Sequence, residues 1–500
     1  MQYATPEQMG IRSSDILRYV QKLEKANLAT HSVLIARHGH IIFEKYWAPY
    51  KKDELHRIYS ATKSFVAIAI GFLAQDGLID LDAPIIQYFP EEAKQLHDPN
   101  MRRQTIRHML MMATAKVNLN WFLEKREDRV AEYFINDPEK SHPPGTVFAY
   151  DSTGSFVLGA LVERLTGKKL LDYLREKCLD KLGFSKEAYM LTCPGGHSWS
   201  DSALLCTPMD WMLVAQFMLQ GGSWNGEQLL NREFVALATG KQIETDMSSQ
   251  YRYNCLGYGY QFWMCYGKAF YFSGSGVQIA MCVPEKDMVL VITSDDSNFW
   301  NSRTLTAGHT KIDGFFDLIV DNAADGPVED DSADALEAFC ADLKLPVAKG
   351  SITSPFAERI DGVTFALRPN PMEISWLRLN FENGGGTLTY QNAQGEKQLP
   401  FRMGENVLCP FPQDGYYGEM AEQVADVHYR CAVSAAWLAQ RQFSIMVQII
   451  DKYFGRMEIR LAFDEELNLI LDMDRDAERI LNEYKGRAQG RPAQGGNEHV

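Results

Sequence analysis

The pattern of apolar residues along the chain predicts where its sheet and helices lie. Residues 5–27 carry apolar side chains at helical spacing, and two apolar runs then flank His38-Gly39-His40 in a pattern that predicts a β-hairpin. Helical patterns follow to about residue 237, and residues 258–293 again form short strand-like runs. Strands at both ends with helices between them predict one antiparallel sheet with helices packed on it, which is an α+β domain.

A second pattern begins after an acidic segment with glycine and proline at residues 322–334. Beyond Pro346, apolar and polar residues alternate in short segments separated by Asn, Gly and Asp, which predicts a mostly-β domain folded as a sandwich or barrel. We therefore predict a first domain over residues 1–325, a linker with one short helix over 326–345, and the β-domain over 346–485. The Gly-, Gln- and Pro-rich residues 486–500 are predicted to be a disordered tail.

One helix of the first domain begins with an unusual pair of polar residues. Residues 65–74 are apolar on almost every side, which is typical of a buried central helix, and Ser60 and Lys63 precede them. Three residues apart, the two side chains share a helix face, and a poorly solvated lysine could act as the base that activates a serine. Taken alone, the pair is explained more simply by Ser60 as a helix N-cap and Lys63 as a solvated residue, because such short motifs occur by chance.

Two further loops carry polar side chains at the ends of predicted elements. Pro143 and Pro144 keep the backbone extended before a predicted helix, so Tyr150 and Ser152 lie on a rigid loop at a helix start. His38 and His40 lie in a hairpin turn without a third ligand nearby in sequence, so we expect turn chemistry there and no metal site.

Composition and charge exclude several classes of function. The chain of 500 residues has 50 basic and 65 acidic side chains and a net charge of −15, which would repel a nucleic acid backbone. Its N-terminus lacks the features of a signal peptide, and its longest apolar helix is too short to cross a membrane. Nine scattered cysteines without a Cys-x-x-Cys pair fit reduced thiols. We therefore expect a cytoplasmic protein that binds neither nucleic acid nor membrane.

Three motifs in chain order resemble those of the class C β-lactamase and penicillin-binding-protein superfamily of serine hydrolases. They are Ser60-Ala61-Thr62-Lys63, Tyr150-Asp151-Ser152 and Phe272-Ser273-Gly274, at a helix start, a loop and a strand end. The superfamily has S-x-x-K, Y-x-N or Y-x-S, and Lys-Thr-Gly or His-x-Gly at these places. The resemblance covers about residues 5–320, and it implies a catalytic domain with a β-lactamase/transpeptidase-like sheet flanked by helices.

The resemblance also implies a role for each matching residue. Ser60 is the nucleophile that becomes acylated, and Lys63 and Tyr150 share the proton transfers, with Tyr150 as the general base and then the acid. Ser152 orients Lys63 or the substrate. The backbone N–H groups of Ser60 and Ser275 form the oxyanion hole. The strand-end residues Phe272, Ser273, Gly274 and Ser275 are expected to bind substrate, and neither a metal nor a cofactor is implied.

Two departures from the superfamily pattern refine this expectation. Phe272 stands where the superfamily has lysine or histidine, and Ser152 stands where class C β-lactamases have asparagine. The pattern is therefore more similar to the esterase, amidase and D-aminopeptidase branch. We expect hydrolysis of an ester or amide bond in a small molecule or peptide, through an acyl-enzyme on Ser60.

Two alternative functions stay open at the level of sequence. The first is a true β-lactamase or D,D-peptidase that acts on penicillins or peptidoglycan. The second is a catalytically inactive binding protein on the same fold. The C-terminal β-domain is expected either to shape or cover the substrate cleft or to mediate a homodimer.

Overall fold

The computed structural model describes residues 1–115, 129–134, 141–193, 195–245, 256–296, 303–413, 428–477 and 480–493. The chain divides into two compact units, and the division lies between Lys344 and Leu345. Each unit is built on its own β-sheet.

The first unit contains twelve strands among the described residues. They are β1 (Gln2–Tyr3), β2 (Thr30–Arg37), β3 (His40–Tyr46), β4 (His56–Arg57), β5 (Tyr189–Met190), β6 (Leu204–Cys206), β7 (Ser223–Trp224), β8 (Glu227–Gln228), β9 (Trp263–Met264), β10 (Phe270–Gly274), β11 (Gln278–Val283) and β12 (Met288–Ser294). Seven form the main sheet in the order β1-β3-β2-β12-β11-β10-β9. All neighbours in it are antiparallel except β1 and β3. The early hairpin thus pairs with the late strands, which confirms the predicted α+β sheet.

The helices among the described residues are mostly short and lie mainly in the first unit. They are α1 (Ser13–Lys25), α2 (Thr62–Gln75), α3 (Pro99–Arg103), α4 (Ile106–Leu110), α5 (Arg129–Tyr133), α6 (Ser152–Thr166), α7 (Leu170–Leu174), α8 (Asp180–Leu182), α9 (Pro208–Leu219), α10 (Arg232–Ala238), α11 (Arg303–Gly308), α12 (Ala333–Cys340) and α13 (Ala357–Ile360). Single 3₁₀ turns span Glu7–Met9, Tyr59–Ala61, Ile85–Gln87 and Pro284–Lys286, and π-helical turns span Arg175–Leu179, His309–Asp313 and Phe316–Val320. No helix in the described ranges combines the length and apolar content needed to cross a membrane.

Helices cover both faces of the main sheet, and this explains why β2 is buried along its whole length and apolar in its central part, residues 33–36. Val33 and Ile35 belong to the core on the side of α1, whereas the alternate residues point to the side of α9. Helix α2 is buried from Thr62 to Leu73, which confirms the predicted central helix. A helix without a polar face is stable only where protein surrounds it.

The predicted linker over residues 326–345 is part of the first unit. Its short helix, α12, packs against α1, and Leu336, Cys340 and Leu343 join the same core as Ile16 and Leu23. The first unit therefore extends to Lys344 and not to residue 325, because the apolar face of α12 is buried in that core.

The second unit is a β-barrel. Its strands are β13 (Thr364–Leu367), β14 (Trp376–Glu382), β15 (Gly385–Asn392), β16 (Gly395–Met403), β17 (Val407–Pro410), β18 (Arg430–Ala439), β19 (Gln442–Ile450), β20 (Phe454–Phe463), β21 (Leu469–Ala477) and β22 (Gly486–Pro492). Each of β13 to β16 and β18 to β22 has a neighbour on both sides, and the pairing of β16 with β18 closes the barrel, while β17 pairs with β18. A barrel was one of the two predicted forms of this domain.

The prediction of a disordered tail from residue 486 is wrong for its first seven residues. Residues 486–492 form β22, which pairs with β21 on one side and β13 on the other. Ala488 and Gly490 are buried, while Arg487, Gln489 and Arg491 alternate with them and are exposed. Backbone hydrogen bonds to two neighbours order this polar segment, which composition alone could not reveal.

Candidate active site

Ser60 lies in a sharp turn that leads into α2. Tyr59, just before it, has a φ of 49°, a left-handed conformation that a bulky side chain adopts only where its surroundings enforce it. The Thr62 hydroxyl donates to the Tyr59 carbonyl at 2.6 Å and accepts from the Leu204 N–H at 3.1 Å. The turn is therefore fastened to the neighbouring strand β6, and Ser60 keeps a partly exposed side chain.

Lys63 is buried beside Ser60. Its Nζ donates to Ser60 Oγ at 3.0 Å and to the Asp201 carbonyl at 2.7 Å, and the Asp201 carboxylate lies 3.8 Å away. The side chains of Lys63 and Asp201 are each 2% exposed. A buried ammonium is stable only with such partners. The simpler explanation of the motif, a solvated lysine after a serine N-cap, is therefore wrong.

Tyr150 completes a compact group around Lys63. The Lys63 Nζ lies 5.1 Å from the centre of the Tyr150 ring, and the ring stacks on Trp263 at 6.0 Å with 17° between the planes. Phe148 and Tyr258 both pack edge-on against Trp263. Lys63 and Trp263 therefore contact the Tyr150 ring and hold it in place. Burial raises the pKa of the neighbouring Tyr258 hydroxyl.

The residue after Tyr150 anchors it to α6. The Asp151 carboxylate caps this helix by accepting from the Gly154 N–H at 2.9 Å, and it also accepts from the Thr114 hydroxyl at 2.9 Å. Ser152 is the first residue of α6 and is buried. Among the described residues its hydroxyl makes no hydrogen bond to Lys63, so the partner that orients Lys63 is Asp201.

The third motif ends against the turn of Ser60. Gly274 pairs with Gln278 across β10 and β11, and a methyl group on Gly274 would overlap the carbonyl oxygen of Ile58. Glycine is therefore required for β10 to approach the backbone that precedes Ser60. This contact places the Ser273-Gly274-Ser275 segment next to the nucleophile turn, as the resemblance implied.

Phe272 does not belong to the site, and its predicted role in substrate binding is wrong. Its side chain is 0% exposed, and its ring packs against those of Phe262 at 4.9 Å, Phe65 at 6.2 Å and Trp211 at 6.2 Å. Successive residues of a strand point to opposite faces, so Phe272 enters the core. The position that carries a cation in the superfamily is thus part of the apolar interior here.

Two residues that sequence reasoning missed hold the turn of Ser275. The side chain of Gln278 is buried, donates to the Ser275 carbonyl at 3.0 Å and accepts from the Ser294 N–H at 3.0 Å. The Ser294 hydroxyl donates to the Gly276 carbonyl at 2.6 Å. A glutamine inside an otherwise apolar strand was the available signal, because buried amides need polar partners.

Asp201 was also missed, and a buried arginine fastens its segment. Arg57 donates from Nε to the Ser202 carbonyl at 2.9 Å, and its guanidinium lies between the rings of Tyr59 and Trp199, 4.3 and 4.5 Å from their centres. Arg57, which belongs to β4, therefore holds the segment that places Asp201 beside Lys63. No spacing signal could have found it, since it lies 138 residues from Lys63.

The structure thus brings Ser60, Lys63 and Tyr150 together with Asp201, and it brings the Ser273–Ser275 segment to the turn of Ser60. In the described ranges, no three His, Cys, Asp or Glu side chains converge in a way that could hold a metal ion. The Ser60 hydroxyl is held by the buried Lys63 and lies in the same group as the Tyr150 phenol and the end of β10. Such an arrangement can carry out acyl transfer on a carbonyl substrate.

The chain is similar to known proteins in sequence and in fold. The chain is 24% identical over 322 residues to the 6-aminohexanoate-dimer hydrolase of Paenarthrobacter ureafaciens, which covers 60% of this chain and 82% of that protein. It is 30% identical over 176 residues to the esterase EstB of Burkholderia gladioli, which covers 30% of this chain and 44% of that protein.

Among solved structures, a candidate 6-aminohexanoate-dimer hydrolase from Bacillus anthracis superposes with a TM-score of 0.52. Its sequence is 20% identical, and the match covers 64% of this chain and 87% of that one. The family described as Beta-lactamase matches residues 18–307, which include all three motifs and Asp201. The chain therefore belongs to the Beta-lactamase family.

Proposed function

We propose that this protein is a serine hydrolase that cleaves an ester or amide bond through an acyl-enzyme on Ser60. The observation that carries the proposal is the hydrogen bond of 3.0 Å between Lys63 Nζ and Ser60 Oγ, within a buried group that includes Asp201. A binding protein would have no need to bury an ammonium beside a partly exposed hydroxyl, because burying a charge is costly.

The proton of Ser60 goes to Tyr150 in this mechanism. Lys63 donates from Nζ to both Ser60 Oγ and the Asp201 carbonyl, and it thereby fixes the serine hydroxyl in place. The Tyr150 ring lies 5.1 Å from the same Nζ, so its phenol is the neighbouring group that can accept the serine proton. Tyr150 then gives the proton to the leaving group, and it takes one from the water that releases the acyl group.

Negative charge on the substrate oxygen is stabilised by the backbone N–H groups of Ser60 and Ser275. The overlap that would follow from any side chain at Gly274 shows how closely β10 approaches the turn of Ser60. Gln278 and Ser294 fix the carbonyl groups around Ser275, so its N–H is oriented before substrate binds. Donors oriented in advance are worth about 10²–10³-fold in rate each.

The substrate is proposed to be a small ester or amide, or a short peptide, with an apolar group near the scissile bond. Relatives of the chain include an esterase and a hydrolase of an aminohexanoate dimer. Phe272 replaces the cation of the superfamily and is buried, so a substrate carboxylate has no partner at that position. The partly exposed Trp263 beside Tyr150 offers an apolar wall instead.

The test is the intact mass of the protein after incubation with a fluorophosphonate and, separately, with benzylpenicillin. We expect one fluorophosphonate adduct in the wild type and none in Ser60→Ala. Ser64→Ala is the matched control, because Ser64 is a buried serine on the same helix whose hydroxyl donates to the Gln261 carbonyl at 2.6 Å. This variant should still form the adduct.

The two probes separate the proposed function from its alternatives. Labelling by the fluorophosphonate without a penicillin adduct supports an esterase or amidase. A penicillin adduct on Ser60 would favour a β-lactamase or D,D-peptidase instead. Folded wild-type protein that forms no adduct with either probe would overturn the acyl-enzyme and favour a binding protein.

A further inference from the structure

Two cysteines of the barrel face each other across neighbouring strands. Cys409 on β17 and Cys431 on β18 are directly opposite in the antiparallel ladder, and their sulfur atoms lie 3.4 Å apart. The two residues are 22 positions apart in the sequence, so they do not form a short cysteine motif that could predict their pairing. Sulfur atoms at this distance are in contact but not covalently joined.

The backbone at this position already fits a disulfide bond. Opposite residues in antiparallel strands have Cα atoms about 4.5–5.5 Å apart, whereas disulfides span about 4.4–6.8 Å. Rotation of the two side chains would therefore bring the sulfur atoms to a bonding distance of about 2.05 Å without moving either strand.

The pair also differs chemically from the other cysteines. The hydrogen bond between the two thiols lowers the pKa of Cys409 and raises that of Cys431, because the proton that they share stays on Cys431. Cys409 is partly exposed, while Cys431 is buried. By contrast, burial raises the pKa of five cysteines of the first unit: Cys178, Cys206, Cys265, Cys282 and Cys340. A lowered pKa and a partly exposed side chain make a cysteine more reactive, and Cys409 combines the two.

We propose that Cys409 and Cys431 form a reversible dithiol–disulfide site that is oxidised by a small disulfide such as glutathione disulfide. The Cys409 thiolate attacks one sulfur of that molecule, forms a mixed disulfide and releases one glutathione thiolate. Cys431 loses its proton to solvent and attacks the Cys409 sulfur, which releases the second glutathione. The protein loses two electrons and two protons, and the oxidant is reduced to two glutathione molecules.

The bond would join β17 to β18 and close the chain between them into a loop. A cross-link that closes a loop of this length restricts the unfolded chain and so stabilises the folded one. The site is separate from the proposed hydrolase chemistry, so failure of either proposal leaves the other intact.

The experiment maps disulfides in the folded wild-type protein after incubation with glutathione disulfide and trapping of free thiols with N-ethylmaleimide. Trypsin cuts after Arg402, Arg430 and Arg441, so Cys409 falls in peptide 403–430 and Cys431 in peptide 431–441. We expect these two peptides to be cross-linked under non-reducing conditions, with a protein mass lower by two hydrogens. Dithiothreitol should restore the original mass.

Two variants test the order of the steps. Cys431→Ser should accumulate a mixed glutathione disulfide on Cys409, because the resolving thiol is gone. The matched control, Cys340→Ser, removes a thiol of the first unit and should leave the cross-link unchanged. The proposal is overturned if both peptides carry N-ethylmaleimide after oxidation, because the two thiols would then have stayed reduced. It is also overturned if Cys409 or Cys431 forms a disulfide with any other cysteine of the chain, such as Cys255.

Discussion

Gly274 and Ile58 are in backbone contact where the strand end meets the nucleophile turn. A methyl group on Gly274 would overlap the carbonyl oxygen of Ile58, two residues before Ser60. Backbone atoms cannot rotate away from such an overlap as a flexible side chain can. The spacing between the N–H groups of Ser60 and Ser275 therefore depends on the absence of a side chain at position 274.

We predict that Gly274→Ala lowers kcat/KM for an activated ester by about 100-fold or more, because the proposed oxyanion donors are pushed apart. Fluorophosphonate labelling of Ser60 should slow in parallel. Gly326→Ala is the matched control, since a methyl group there meets no atom within 4 Å. A Gly274→Ala variant with wild-type labelling rate would contradict this assignment of the site.

Asp201 is predicted to position Lys63. The variant Asp201→Asn keeps the shape of the side chain and the backbone acceptor at 2.7 Å, but it removes the negative charge 3.8 Å from the ammonium. We expect kcat to fall by about 10-fold or more with little change in KM, because the carboxylate acts on Lys63 and not on the substrate.

The control for this prediction is Asp172→Asn, which changes an exposed aspartate of α7 and should leave both constants unchanged. Steady-state kinetics on an ester substrate make the comparison. If Asp201→Asn raised KM alone, Asp201 would contact substrate and the positioning role would be wrong.

Sequence patterns could predict the sheet, the central helix and the three motifs, because each depends on residues close together in the chain. The hairpin and the late strands follow from alternation, and α2 follows from its unbroken apolar surface. Packing of helices on both faces of the sheet then brings together the start of α2, the loop before α6 and the end of β10, which carry the three motifs.

Other features depend on tertiary contacts that no local pattern encodes. Asp201 meets Lys63 from a segment 138 residues away, and Cys409 meets Cys431 through a strand pairing. The polar β22 is ordered because it lies between two strands of the barrel. Phe272 was misjudged for a related reason: the motif gives its place in the sequence, but the alternation of β10 turns its ring into the core.

Phe272→Lys would restore the cation of the superfamily motif, and we predict that it will not restore penicillin recognition. The new ammonium would lie among the rings of Phe65, Trp211 and Phe262 without a partner. An unpaired buried charge costs several kcal/mol, so we expect a loss of about 3 kcal/mol or more in unfolding free energy, measured with urea.

Phe272→Leu is the matched control, because it keeps the site apolar and should cost only about 1–2 kcal/mol. Ser60 in that variant should still be labelled by the fluorophosphonate. A stable Phe272→Lys protein that forms a benzylpenicillin adduct would show that position 272 reaches the cleft after all.

The last prediction concerns His56, which is buried four residues before Ser60. Its Nδ1–H donates to the Arg57 carbonyl at 2.9 Å, so its Nε2 accepts from His31 Nδ1 at 2.7 Å. Burial lowers the pKa of His56 from 6.5 to about 3. The folded protein therefore keeps this imidazole neutral at pH values where the unfolded chain protonates it.

The stability that the neutral His56 contributes is fully present above pH 6.5 and is lost progressively as the pH falls towards 3. One such group lowers the free energy of unfolding by up to about 1.4 kcal/mol per pH unit. Between pH 7.5 and 5.0 we therefore expect His56 to lower the free energy of unfolding of the wild type by about 2 kcal/mol. The His56→Gln variant lacks this contribution, so its free energy of unfolding should decrease over the same interval by about 2 kcal/mol less than that of the wild type. His97→Gln, an exposed histidine, should follow the wild type, and parallel curves for all three proteins would disprove the assignment.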